Sequence, residues 1–162
     1  MNMILAAILT VPFWNTGANL ETESKEAAEA FREVYFASET TDIDKIVAIQ
    51  QVANVPHRTT AQVLGEVLFH GPKSHKREAA YALASFYDVR GTSILAISAL
   101  LDPKNRNDTK LRVTLVNTLA SLTELSSLPV LHQMVSDRDT AVAVAAINVI
   151  PDFERRESIF TL

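Results

Sequence analysis

An apolar pattern that returns at intervals in the thirties restricts the fold of this chain more than any other feature. Its clearest copy is residues 76–101, KREAAYALASFYDVRGTSILAISALL. The spacing of Ala80, Leu83, Ala84 and Phe86 predicts one helix, and that of Ile94, Ile97, Leu100 and Leu101 a second. Asp88-Val89-Arg90-Gly91-Thr92 separates them. Gly91 can end the first helix, and Thr92 or Ser93 is placed to cap the next. A shift of 36 carries Ala80, Leu83, Ala84 and Phe86 onto Val116, Leu119, Ala120 and Leu122. A shift of 34 carries Ile94, Ile97, Leu100 and Leu101 onto Leu128, Leu131, Met134 and Val135. A backward shift of 33 carries the same four onto Ala61, Leu64, Val67 and Leu68. A third copy of the first helix starts at Asp139 and sets Leu111, Val116, Leu119 and Leu122 against Val142, Ile147, Ile150 and Phe153.

The remaining segments also read as helices. Residues 22–37 carry an apolar stripe of Ala27, Phe31, Val34 and Tyr35, opposite a wet face of Glu23, Glu26, Glu29 and Glu33. Residues 43–53 form the next helix, with Asp42 as N-cap and Asn54-Val55-Pro56 as the stop. Another starts at Thr59 or Thr60, runs through Phe69 and is broken by His70-Gly71-Pro72. Pro151 is expected to end the third repeat's helix, leaving residues 154–162 as a short final one. Helix pairs repeated at this period bury their apolar faces only by stacking. The expected fold is therefore all-α: a right-handed α-solenoid of about three to four helix pairs over residues 42–162, capped by an N-terminal helix in residues 19–41.

Asp108-Thr109-Lys110-Leu111-Arg112 resembles the start of a HEAT repeat. Ala79-Ala80-Tyr81-Ala82-Leu83 is similar to its Ala-rich first helix, and Leu100-Leu101-Asp102-Pro103 to the end of its second. The resemblance is to the short HEAT-like type found in phycobilisome lyases, and it covers residues 42–153. Asp137-Arg138-Asp139-Thr140-Ala141-Val142 repeats the junction, with Ala143 where the family pattern has Arg. The resemblance implies a scaffold whose second helices line a concave binding side. It also implies that the arginine at the position of Arg112 pairs with an aspartate of a neighbouring repeat. The Trp, Gly-x-x-Tyr and Pro signature of TPR repeats and the Thr-Pro-Leu-His of ankyrin repeats are absent.

The chain has no cysteine, which excludes disulfides, thiolate metal sites and cysteine nucleophiles. His57, His70, His75 and His132 lack the i, i+4 spacing of a helical zinc site, and His57, His70 and His75 read as loop residues. None of the four glycines forms a phosphate-cradling loop, and no nucleophile elbow occurs. No catalytic residue, metal or cofactor is expected. Residues 1–18, MNMILAAILTVPFWNTGA, are apolar but too short to span a bilayer. Two readings fit them: a signal peptide lacking its basic n-region, which would place the protein in the periplasm or outside the cell, or an apolar segment packed on the domain, with which a cytoplasmic location is expected.

Net charge is −4, yet residues 57–112 hold nine Lys or Arg against five Asp or Glu. Lys73, Lys76 and Arg77 form one basic cluster; Lys104, Arg106, Lys110 and Arg112 form another. Both follow a second helix, so a solenoid would set them on one edge as a basic ridge. Beside it, Ala96 and Ala99 are expected to face solvent on the concave side, leaving the middle repeat nearly free of side chains. The partner expected from this surface is an acidic peptide or protein segment. Nucleic acid or another polyanion along the same edge is the alternative. A HEAT-like lyase or glycosylase is the weakest reading, because aromatics, 7% of residues, are too sparse to line such a groove.

Overall fold

Caps and prolines set the helix boundaries. The computed structural model describes the backbone of residues 17–160 and the side chains of residues 19–153. Residues 1–16, which hold most of the segment read as a signal peptide or apolar arm, lie outside the described residues. Eight α-helices follow in order: α1 Gly17–Tyr35, α2 Asp42–Val52, α3 Arg58–His70, α4 Lys73–Leu83, α5 Thr92–Leu101, α6 Thr109–Leu122, α7 Leu128–Met134 and α8 Thr140–Phe160. Among the described residues there is no strand, and no helix is long and apolar enough to cross a membrane.

The N-cap of α2 is Thr41, not the expected Asp42: the Thr41 hydroxyl accepts the Asp44 N–H at 3.2 Å. His57 caps α3 in a reciprocal box with Thr60. Pro72 starts α4 at Lys73, three residues ahead of the expected start, because its fixed φ of −62° suits a helix entry. α4 then ends at Leu83, and Phe86 packs into the core from the turn beyond. Gly91, at φ 88°, opens α5 in the left-handed region that a side chain would strain. Neither Thr92 nor Ser93 caps α5; their hydroxyls donate to the Val89 carbonyl and to Glu124. α8 continues through Pro151, so the expected break and short last helix are replaced by one helix. A proline there forfeits one backbone donor without severing the rest.

α1 packs on α2, α3 on α4, α5 on α6 and α7 on α8. α2, α4, α6 and α8 touch in succession, as do α1, α3 and α5; α5 meets the 3-10 turn Leu125–Ser127 that leads into α7. The close pair is thus α3 with α4, whereas α4 and α5, expected to form the unit, touch only slightly. Linkers explain this. Gly71-Pro72 leaves α3 and α4 no choice but to lie side by side, while residues 84–91 give α4 and α5 room to separate.

Burial gives the repeat register. His75, Lys76, Ala79, Ala80, Ala82, Leu83 and Phe86 are buried, and so is every residue 36 further on: Leu111, Arg112, Leu115, Val116, Thr118, Leu119 and Leu122. Val142, Ala146, Ile150 and Phe153 continue the series in α8. Ile147, aligned above with Val116, is exposed; the buried residue of that turn is Ala146, which corresponds to Leu115. The second helices slip by one residue from the expected register. Thr60, Ala61, Leu64, Val67 and Leu68 of α3 correspond at a shift of 32 to the buried Thr92, Ser93, Ala96, Ala99 and Leu100 of α5. Ile94 and Leu101, assigned above to the core, are 64% and 46% exposed.

Candidate functional site

Loops of one edge are tied together by side chains. Lys76 Nζ donates to Asn105 Oδ1 at 3.1 Å, and Asn105 Nδ2 donates to the Ala99 carbonyl at 2.9 Å. Arg112 holds Asp137 in a two-pronged pair, Nη1 to Oδ1 at 2.9 Å and Nη2 to Oδ2. Its Nη2 also reaches Met134 Sδ at 3.5 Å. Thr109 donates to Asp139, and Arg138 Nη2 donates to Asn107 Oδ1 at 2.6 Å and to the Arg106 carbonyl at 3.4 Å. The α5–α6 and α7–α8 loops therefore lie side by side.

These contacts divide the expected basic ridge. Lys76, 9% exposed, and Arg112, 5% exposed, are structural ties rather than free surface cations. Arg77 is half-buried and its Nε donates back to the Lys73 carbonyl at 3.3 Å. Lys73, Lys104, Arg106 and Lys110 are exposed. Ala96 and Ala99 are fully buried, which corrects their placing on the concave surface: their small size lets α5 sit close to its neighbours. The outward positions of α5 are instead Ile94, Ser98 and Leu101.

Between the two loops lies a cleft of about 390 Å³ lined by Arg106, Arg112, Gln133, Met134, Ser136, Asp137 and Arg138. It continues into a second lobe of about 290 Å³, where Leu101, Asp102 and Pro103 join Arg106. One wall is thus apolar and another cationic. Asp137 faces the cleft, but its carboxyl is held below the ordinary carboxylate value, chiefly by the hydrogen bonds from Arg112. Asp139 is lowered too, chiefly by the Thr109 hydroxyl. Both aspartates are thus held in the ionised form, Asp137 by Arg112 and Asp139 by Thr109.

A separate pocket of about 250 Å³ opens at the same edge, where α1, α2, α3 and α4 meet. His70 and His75, read above as loop residues, lie in α3 and α4, and His57 is the cap of α3. His75 is 1% exposed; its Nδ1 shares a 3.0 Å hydrogen bond with the Tyr35 hydroxyl, and its Nε2 lies 3.8 Å from Asp42 Oδ1. Burial, and then the charge of Asp42, push the Tyr35 phenol above its ordinary value. Gly71 makes this packing possible. A Cβ there would stand 2.6 Å from the Val67 carbonyl oxygen and 2.9 Å from the Tyr35 hydroxyl. Gly71→Ala is expected to cost about 1–3 kcal/mol in denaturant unfolding, since backbone and Tyr35 must both yield. An unchanged midpoint would mean that the α3–α4 turn is looser than this packing requires. His75 escaped the sequence reading because its partner, Tyr35, is 40 residues away.

Among the described residues no group of three or more His, Cys, Asp or Glu is arranged to hold a metal ion. No protein-family model matches the chain, and neither a curated protein nor a solved structure is significantly similar to it.

Proposed function

We propose that this chain is a non-catalytic protein-interaction module, a HEAT-like α-solenoid that receives an acidic segment of a partner protein. Helices that touch their nearest and second-nearest neighbours in sequence support the solenoid reading. The Arg112–Asp137 pair supports the HEAT-like one, since it is the inter-repeat pair that the resemblance implies.

The observation that carries the proposal is the cleft between the α5–α6 and α7–α8 loops. Its cations, Arg106 and Arg138, stand beside Leu101, Pro103 and Met134. With Arg112 paired to Asp137, residues 102–110 hold three bases, Lys104, Arg106 and Lys110, against two acids. Among the described residues no carboxylate pairs with Lys104, Arg106 or Lys110. Such a surface attracts an acidic segment at long range and offers it apolar contact on arrival.

The test is fluorescence anisotropy with a labelled Glu-rich peptide containing leucines, at low and high salt. The triple variant Lys104→Glu, Arg106→Glu, Lys110→Glu is expected to lose binding and the salt dependence of the on-rate. Equal binding by the wild type and the triple variant would sink the proposal. A gel shift with duplex DNA that falls steeply with salt would instead favour the polyanion reading.

A further inference from the structure

The outward face of α5 breaks the pattern of its row. At equivalent positions α3 presents Gln62 and Glu66, and α7 presents Pro129 and Gln133. α5 presents Ile94 and Ser98, followed one turn later by Leu101. Ile94 and Leu101 are well exposed, and Ile97, between them on the same side, is half-buried. Phe69, which corresponds to Leu101 on α3, is also half-buried. A helix apolar on every side is normally enclosed. α5 is enclosed on one side only, through Thr92, Ser93, Ala96, Ala99 and Leu100. Ile94, Ile97 and Leu101 stand at positions i, i+3 and i+7, the first and last exposed and the middle one half-buried, and this spacing matches the stripe by which one helix takes another.

Charge places the partner. Leu101 ends the stripe at the cleft and lines it with Pro103 and Arg106, and Lys104 is exposed on the turn next to it. Apolar contact thus runs along α5 from Ile94; the C-cap carboxylate of Asp102 follows, accepting the Lys104 backbone N–H, and the positive charges of Lys104 and Arg106 lie just beyond it.

We infer that Ile94, Ile97 and Leu101 form the docking face for an amphipathic helix of the partner, whose aliphatic side chains cover α5 and whose acidic end lies against Lys104 and Arg106. This rests on the acidic-segment reading above and adds the apolar anchor and the polarity of the bound segment.

The experiment uses the full chain and a synthetic helical peptide with leucines at i, i+3 and i+7 and glutamates in its last turn. A second peptide carries the glutamates in its first turn, and a third has the same composition scrambled. Ile94→Ser with Leu101→Ser removes the anchor at exposed positions, and a thermal melt of that variant is expected to match the wild type. The double variant is expected to bind the first peptide about tenfold more weakly, with its salt dependence kept. The scrambled peptide is expected to bind the wild type no better than the double variant binds the first. A nitroxide at the acidic end is expected to broaden the amide signals of Lys104 and Arg106 with the first peptide. Broadening at Ile94 instead would overturn the stated polarity. If the charge-reversal variant loses binding while the serine variant does not, the docking face is wrong and the acidic-segment reading stands. If neither variant changes binding, or no peptide binds the wild type, both fall. Sedimentation velocity distinguishes another occupant: a dimer of the wild type that the two serines abolish would assign the face to a second copy of this chain and overturn the inference.

Discussion

Asp137→Ala is expected to destabilise the domain by about 3–5 kcal/mol, the cost of leaving a buried cation without its counter-charge. The Arg112 side chain is 6% exposed and that of Asp137 10%. Arg112 Nε is buried and makes no hydrogen bond. Of the remaining contacts, the sulfur of Met134 is a weak acceptor and cannot replace a carboxylate. Pairing Asp137→Ala with Arg112→Met should recover most of the loss, because an apolar side chain of similar length fills the site without a charge to compensate. Equal losses in the single and double variants would show that no buried charge is held there.

The same pair predicts a pH dependence. Asp137's folded pKa lies below its ordinary value, so its contribution is fully present above the unfolded carboxylate range, about 3.9. It is lost as pH falls through the depressed folded value. The stability gap between wild type and Asp137→Ala should therefore be constant near neutrality and close at strongly acidic pH. A gap that widens on acidification would have the wrong sign for this pair.

Leu119→Ala is expected to cost about 2–5 kcal/mol in urea unfolding, with the slope of the transition unchanged. Leu119 is fully buried in α6, which packs on α4, α5 and α8 at once, so little can collapse into the space left behind. Leu83 occupies the equivalent place one repeat earlier and Ile150 one repeat later. Leu83→Ala should therefore cost a similar amount. Within α5 the two registers make opposite predictions. Leu100→Ala should be costly, and Ile94→Ala, at a side chain 64% exposed, close to neutral. Near-neutral loss at Leu119, or a large loss at Ile94, would show the repeat register to be misplaced.

In the first helices of the repeat most of the core could be read from the chain alone, Ile147, exposed where Val116 is buried, being the exception. Their apolar residues recur at helical spacing, as at Ala80, Leu83 and Phe86, so one face is dry in any fold that buries it. The position of Leu83, Leu119 and Ile150 follows from that periodicity. So do the breaks at Pro56 and at Gly71-Pro72, because proline and glycine act through local backbone geometry.

α5 could not be read this way. TSILAISALL is apolar all round, so its pattern is compatible with more than one inward face. The larger side chains suggested Ile94 and Leu101; packing chose Ala96 and Ala99, because close approach to α3 and α6 leaves room only for methyl groups. The cations divide for the same reason. Lys73 and Lys76 are one helical turn apart and alike in composition, yet only Lys76 meets Asn105 across the fold, and only Arg112 meets Asp137. Local sequence sets the period of a helix and where it stops. Which face turns inward, and which charges are spent inside, depends on partners 25 to 40 residues away, whose positions exist only once the helices have packed.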